Sequence, residues 1–81
     1  MMQPELVQEY IAEGMSCEQI SVDGDGQHFV AVIVSAEFTG KNRVQRQQRV
    51  YAVVGERMAK NEIHALSMKC HTPEEWKQLN G

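Results

Sequence analysis

The segment IHALSMKCHTPEEW, residues 63–76, sets His64, Cys70, His71 and Trp76 within fourteen residues. Imidazole and thiolate are the side chains that ligate iron, zinc and copper and that serve as base and nucleophile. Strand alternation takes most of this grouping apart. On a strand over 63–70, His64, Leu66, Met68 and Cys70 share one face, while Ala65, Ser67, Lys69 and His71 take the other. Cys70 and His71 then point apart and make no nucleophile–base pair. Thr72, Pro73 and Glu75 spell a helix start: a hydroxyl cap, a first-turn proline and an acid three residues after the cap. Cys70 reads as packing. By spacing alone, His64 reads as a strand-end histidine rather than a ligand.

The other reactive side chains suggest no catalysis, and the chain is not expected to be an enzyme. Ser16 and Cys17 lack a nucleophile elbow. There is no C-x-x-C or H-x-x-x-H pair, and the five Cys and His residues are spread along the chain, so a metal closed within one chain is poorly supported. A metal shared with a partner needs only one or two ligands from this side. DGDG at 23–26 lacks the lysine and following helix of a phosphate loop, and reads as a hairpin turn.

Charge is unevenly placed. The net charge is −3, yet six of the eight basic residues (Lys41, Arg43, Arg46, Arg49, Arg57 and Lys60) fall between 41 and 60 with one acid, Glu56. On a helix, Arg43, Arg46, Arg49, Arg57 and Lys60 gather in an arc of about 120°, interrupted by Val50 and Val53. Such an arc suits a phosphate backbone or an acidic partner, against the plainer reading of a solvated helix face. Tyr51 falls on the apolar side, so base stacking is not indicated.

These residues must be positioned by one small domain spanning 1–81. Hydrophobic content of 42% and charged content of 23% fit a soluble globule. FVAVIV at 29–34 is too short to cross a membrane, and MMQPELVQEY has no secretory character. The expected setting is the cytoplasm, with both thiols reduced. A helix is expected over 4–13, with Gly14 as its stop. Strands follow over 17–23 and 28–38, joined by the DGDG turn. The longest helix covers 43–60, with Val44, Tyr51, Val54 and Met58 on its apolar side. The strand over 63–70 and a short helix from Pro73 complete the chain. The order α-β-β-α-β-α gives an α+β domain: a three-stranded mixed sheet with helices packed on one face, the second and third strands parallel across the helical crossover.

At this level of detail FTGKNRVQRQQRVYAVV followed by IHALSMKCHTPEEW resembles the BolA family, most closely its YrbA/IbaG-like branch. Phe38, Gly40, Arg46 and Tyr51 match its F-x-G-x-x-x-x-x-R…Y motif; His64, Ala65, Leu66, Thr72, Pro73 and Trp76 match its H-A-L and T-P-x-x-W motifs. The family's R-H-R reads Arg46-Gln47-Gln48 here, so no role of that central histidine carries over. The resemblance implies a fold like the type II KH domain and a part in iron–sulfur and iron homeostasis and the stress response. It implies a monothiol glutaredoxin as partner and a [2Fe–2S] cluster shared with the glutaredoxin cysteine and a glutathione thiol. The cluster is not expected in the isolated chain, which would be a monomer or weak homodimer. His64 would be the ligand, and His28, the only Cys or His by the loop between strands one and two, the candidate second ligand. The family's association with transcription regulation implies the alternative: a DNA- or RNA-binding regulator using Lys41, Arg43, Arg46, Arg49, Arg57 and Lys60. Against it, GKNR at 40–43 has one glycine where a KH loop has two.

Overall fold

The computed structural model describes residues 3–60, 63 and 65–80. Helix α1, Pro4–Gly14, starts with proline in its first turn and buries Val7 and Ile11, one turn apart, as the periodicity predicts. It ends at Gly14, but not through a left-handed glycine: the positive-φ glycines of the described residues are Gly26 and Gly40. Gly14 instead gives clearance, because a Cβ there would overlap the Val53 side chain.

Strands β1, Gln19–Gly24, and β2, His28–Val34, form the expected hairpin. Its turn is held by the Asp25 carboxylate, whose Oδ1 accepts from the amides of Gln27 and His28 at 2.9 Å each, with Gly26 at φ 100°. The second strand stops at Val34, short of the expected Phe38, and Ala36–Phe38 is a 3-10 turn. Ser35 is the cause. Its fully buried hydroxyl donates to the Ser16 carbonyl at 2.5 Å and accepts from the Glu37 amide at 3.1 Å, offering the backbone a local alternative to the ladder.

Helix α2, Arg43–Ala59, opens with a capping box between Asn42 and Gln45. Its buried residues are Val50 and Val54, with Val53 and Met58 packed beside them. This corrects the expected apolar stripe: Val44 is 61% exposed and Tyr51 38%. The helix meets α1 as well as the sheet, which turns the Val50–Val53 side inward. Strand β3, Ala65–His71, pairs parallel with β2, giving the order β1-β2-β3. Helix α3, Pro73–Asn80, carries the expected Thr72–Glu75 capping box, with Thr72 N–H to Glu75 at 2.9 Å and Glu75 N–H to the Thr72 hydroxyl at 3.2 Å.

Cross-strand rows Val22–Ala31–Met68 and Ile20–Ile33–Cys70 point to the core, where α1 and α2 cover them. At the end of β3, the Trp76 ring lies 5.6 Å from the His71 ring and shares a shallow depression with Val32 and Val34. This is the α+β architecture the element order predicts.

Candidate functional site

His28 is the first residue of β2, placed there by the Asp25 turn, and its side chain is two-thirds exposed. Its Nδ1 lies 4.0 Å from Asp25 Oδ2. The two backbone amides that cap Asp25, first that of His28 and then that of Gln27, hold its carboxyl below the usual range. Parallel pairing sets His28 opposite Ala65, and the Ala65 amide donates to the Gln27 carbonyl at 3.0 Å. His64, the other candidate ligand, lies outside the described residues. Ile63, just before it in the chain, is buried.

The cysteines behave as core side chains. Cys17 and Cys70 are half-buried and pack against the core cluster. Burial pushes the Cys70 thiol up to about 11, opposed by the nearby Arg46. Burial, and then the Glu37 carboxylate, also raise the Cys17 thiol. Neither is a ready thiolate near neutral pH.

The six cations of the expected basic surface separate into two groups. Arg46 is an internal clamp: it donates to Glu75 at 2.6 and 3.2 Å, to the Cys70 carbonyl at 3.2 Å and to the Lys41 carbonyl at 2.8 Å. The Arg46 guanidinium, with the Thr72 amide, holds the Glu75 carboxyl down at about 2. Arg49 reaches Glu37 at 3.0 Å and the Gly14 carbonyl at 3.3 Å, while the other Glu37 oxygen accepts from the Ser16 amide at 2.6 Å. That amide, and then Arg49, depress the Glu37 carboxyl. The Arg57 guanidinium sits 4.0 Å over the Tyr10 ring. Lys60 pairs with Glu56 on the surface at 3.2 Å.

Lys41 and Arg43 remain directed to a different use. With Asn42, Gln47, His71, Lys69 and the Arg46–Glu75 pair they line an open cleft of about 470 Å³, floored by Met68 and Cys70. Among the described residues no ion pair joins the side chains of Lys41, Arg43 or Lys69. Lys69 is the residue the sequence reading missed. It lies on a strand, outside the helical arc, and only the parallel register brings the end of β3 to the start of α2. Chemically the cleft can attract anions, and the hairpin end can offer an imidazole to a metal.

Among known proteins, the family model described as BolA-like protein matches residues 7–75. The chain is 41% identical over 78 residues to the acid stress protein IbaG of Escherichia coli K12, covering 93% of each. It is 47% identical over 57 residues to the DNA-binding transcriptional regulator BolA of Haemophilus influenzae, covering 70% of this chain and 54% of that one. Among solved structures, a Bol-like protein from Babesia bovis superposes with a TM-score of 0.85 at 34% identity, over 100% of this chain and 96% of the other.

Proposed function

The chain belongs to the BolA-like protein family, in company with IbaG, and from that premise we propose that it is a non-catalytic adaptor that pairs with a monothiol glutaredoxin and helps ligate a shared [2Fe–2S] cluster. The observation that carries the reading is where β3 begins. Ala65, which follows His64 in the sequence, is the Cα partner of His28, so the described residues set the exposed His28 imidazole beside the first residue of β3. Among the described residues no three His, Cys, Asp or Glu side chains gather as a metal site; the shared centre asks for one or two ligands from this chain, the others coming from the partner and glutathione. Imidazole in place of thiolate makes such a centre less negative and raises its potential. Asp25 Oδ2, 4.0 Å from His28 Nδ1, sets a carboxylate charge near that imidazole, too far for a hydrogen bond.

The test is reconstitution. Mixing the protein with a monothiol glutaredoxin, glutathione, iron and sulfide is expected to give a heterodimer whose visible spectrum differs from that of the glutaredoxin alone. His64→Ala is expected to abolish the difference and His28→Ala to alter it. A spectrum unchanged in His64→Ala would sink the ligand assignment.

A second reading, a nucleic-acid-binding regulator, draws on the cleft of Lys41, Arg43 and Lys69 rather than on the whole arc of α2. Phosphate contacts from these three would make binding steeply dependent on salt. Absence of salt-dependent binding to DNA and RNA would remove it.

A further inference from the structure

The two edges of the sheet are finished differently. In β3 the Ala65 amide and the His71 carbonyl bond toward β2, to Gln27 and Ser35, so the even-numbered residues turn their main-chain groups outward. Side chains of α2 occupy two carbonyls of that edge: the Tyr51 hydroxyl donates to the Leu66 carbonyl at 3.4 Å, and Arg46 donates to the Cys70 carbonyl at 3.2 Å. An edge with the Leu66 and Cys70 carbonyls already occupied is a poorer template for another strand.

The outer edge of β1 has no such cover. Asp25 N–H to His28 C=O closes the hairpin, and in the same register Asp23 opposes Val30 and Ser21 opposes Val32 as the pairs bonded across it. Ile20 and Val22 therefore turn their N–H and C=O groups outward. Among the described residues, β2 is the sole strand paired with β1, and no side chain bonds these outward groups. Their own side chains pack into the core, which holds the edge extended and ready.

Charge selects what such an edge accepts. Residues 1–40 carry seven acids and no Lys or Arg. Glu37 is bound by Arg49, whereas Glu18, Asp23 and Asp25, which rim β1, are exposed. A second copy adding edge to edge would set carboxylates against carboxylates, the usual protection of an edge strand. A cationic strand meets the opposite: open main-chain partners inside an attractive rim. We infer that the β1 edge is a strand-addition site for an extended, basic segment of a partner protein, with Lys or Arg alternating with small apolar residues. Ile20 and Val22 give the main-chain bonds, and the carboxylate rim gives the selectivity.

The hexapeptide acetyl-Lys-Val-Lys-Thr-Lys-Val-amide, titrated into the isotope-labelled full chain, tests this. The amides of Ile20 and Val22 are expected to shift and to exchange more slowly, with smaller changes at Ser21 and Asp23, which are already bonded to β2. The counterpart with Glu for Lys is expected to do neither, and the response should shrink as salt rises. The double variant Glu18→Lys, Asp23→Lys should lose the response to the basic peptide while keeping its circular dichroism. Should that variant not fold, the salt dependence of the unaltered chain decides. A response centred on Leu66 and Met68, an equal response to the acidic peptide, one indifferent to salt, or self-association through the same β1 amides would each overturn the proposal.

Discussion

Arg46 and Glu75, 29 residues apart in sequence, meet at 2.6 Å and fasten the start of α2 to the start of α3. Each does more than pair. Arg46 also satisfies the carbonyls of Cys70 and Lys41, and Glu75 also accepts from the Thr72 amide in its capping box. Arg46→Ala strands those carbonyls and is expected to cost about 1–3 kcal/mol of stability. Glu75→Gln keeps an acceptor for Thr72 and should cost less. Urea unfolding of the two variants measures the order; equal, negligible effects would contradict the clamp.

The face of α2 that holds the core gives a sharper contrast. Val50→Ala is expected to cost about 2 kcal/mol, because Val50 is fully buried. Val44→Ala, which trims an exposed side chain, should change stability by less than about 0.5 kcal/mol. A helical wheel centred on Val44, Tyr51, Val54 and Met58 predicts the reverse ranking for Val44 and Val50, so thermal melts of this pair decide between them.

What the sequence made legible follows from how local each signal is. The DGDG turn, the Thr72–Glu75 box and the α-β-β-α-β-α order depend on residues a few positions apart, and all appear as expected. A wheel misplaces the α2 face because Val50 and Val53 share an arc with the arginines, and it cannot show that Arg46 and Arg49 have internal partners. Glu37 for Arg49 and Glu75 for Arg46 lie 12 and 29 residues away, beyond any local pattern. The strand ended early for the same reason: the bond from Ser35 goes to Ser16, 19 residues back. The position of His28 at the start of β2 follows from its place after the turn, whereas the position of Lys69 needed the parallel register.

Acid should weaken the fold through the carboxylates held by these pairs. The carboxyls of Glu75, Glu37 and Asp25 all have depressed values when folded. A depressed value means the native state binds protons less readily than the unfolded chain, so the stabilisation is present above the ordinary carboxylate range. It is lost as pH falls from there, for Glu75 down through about 2. The urea midpoint is expected to fall steadily below about pH 4.5. Glu75→Gln should flatten that fall, and an unchanged slope in the variant would remove Glu75 from the account.

Cys70 offers a kinetic check on packing. With its thiol pushed up to about 11, the thiolate fraction at neutral pH is small, and the side chain is half-buried. Iodoacetamide at pH 7.5 is expected to modify it far more slowly in the native chain than in urea. Fast native modification would mean that the end of β3 is open in solution and that the cleft beside Arg43 lacks its floor.

Separating the cations into clamps and cleft residues makes the last prediction one about two measurements at once. Lys41, Arg43 and Lys69 line the cleft without ion pairs among the described residues, so replacing any one by Ala should leave stability nearly unchanged. If the protein binds DNA or RNA, each replacement should lower the dependence of log affinity on log salt by about 1. Arg49→Ala should do the opposite: it frees Glu37 and the Gly14 carbonyl, so it weakens the fold and leaves the salt slope of the remaining folded protein near its original value. Binding isotherms at several salt concentrations, paired with thermal melts of the same four variants, separate the two kinds of arginine and lysine. A slope that fell equally for Arg49 and Lys69 would return the nucleic-acid surface to the whole face of α2.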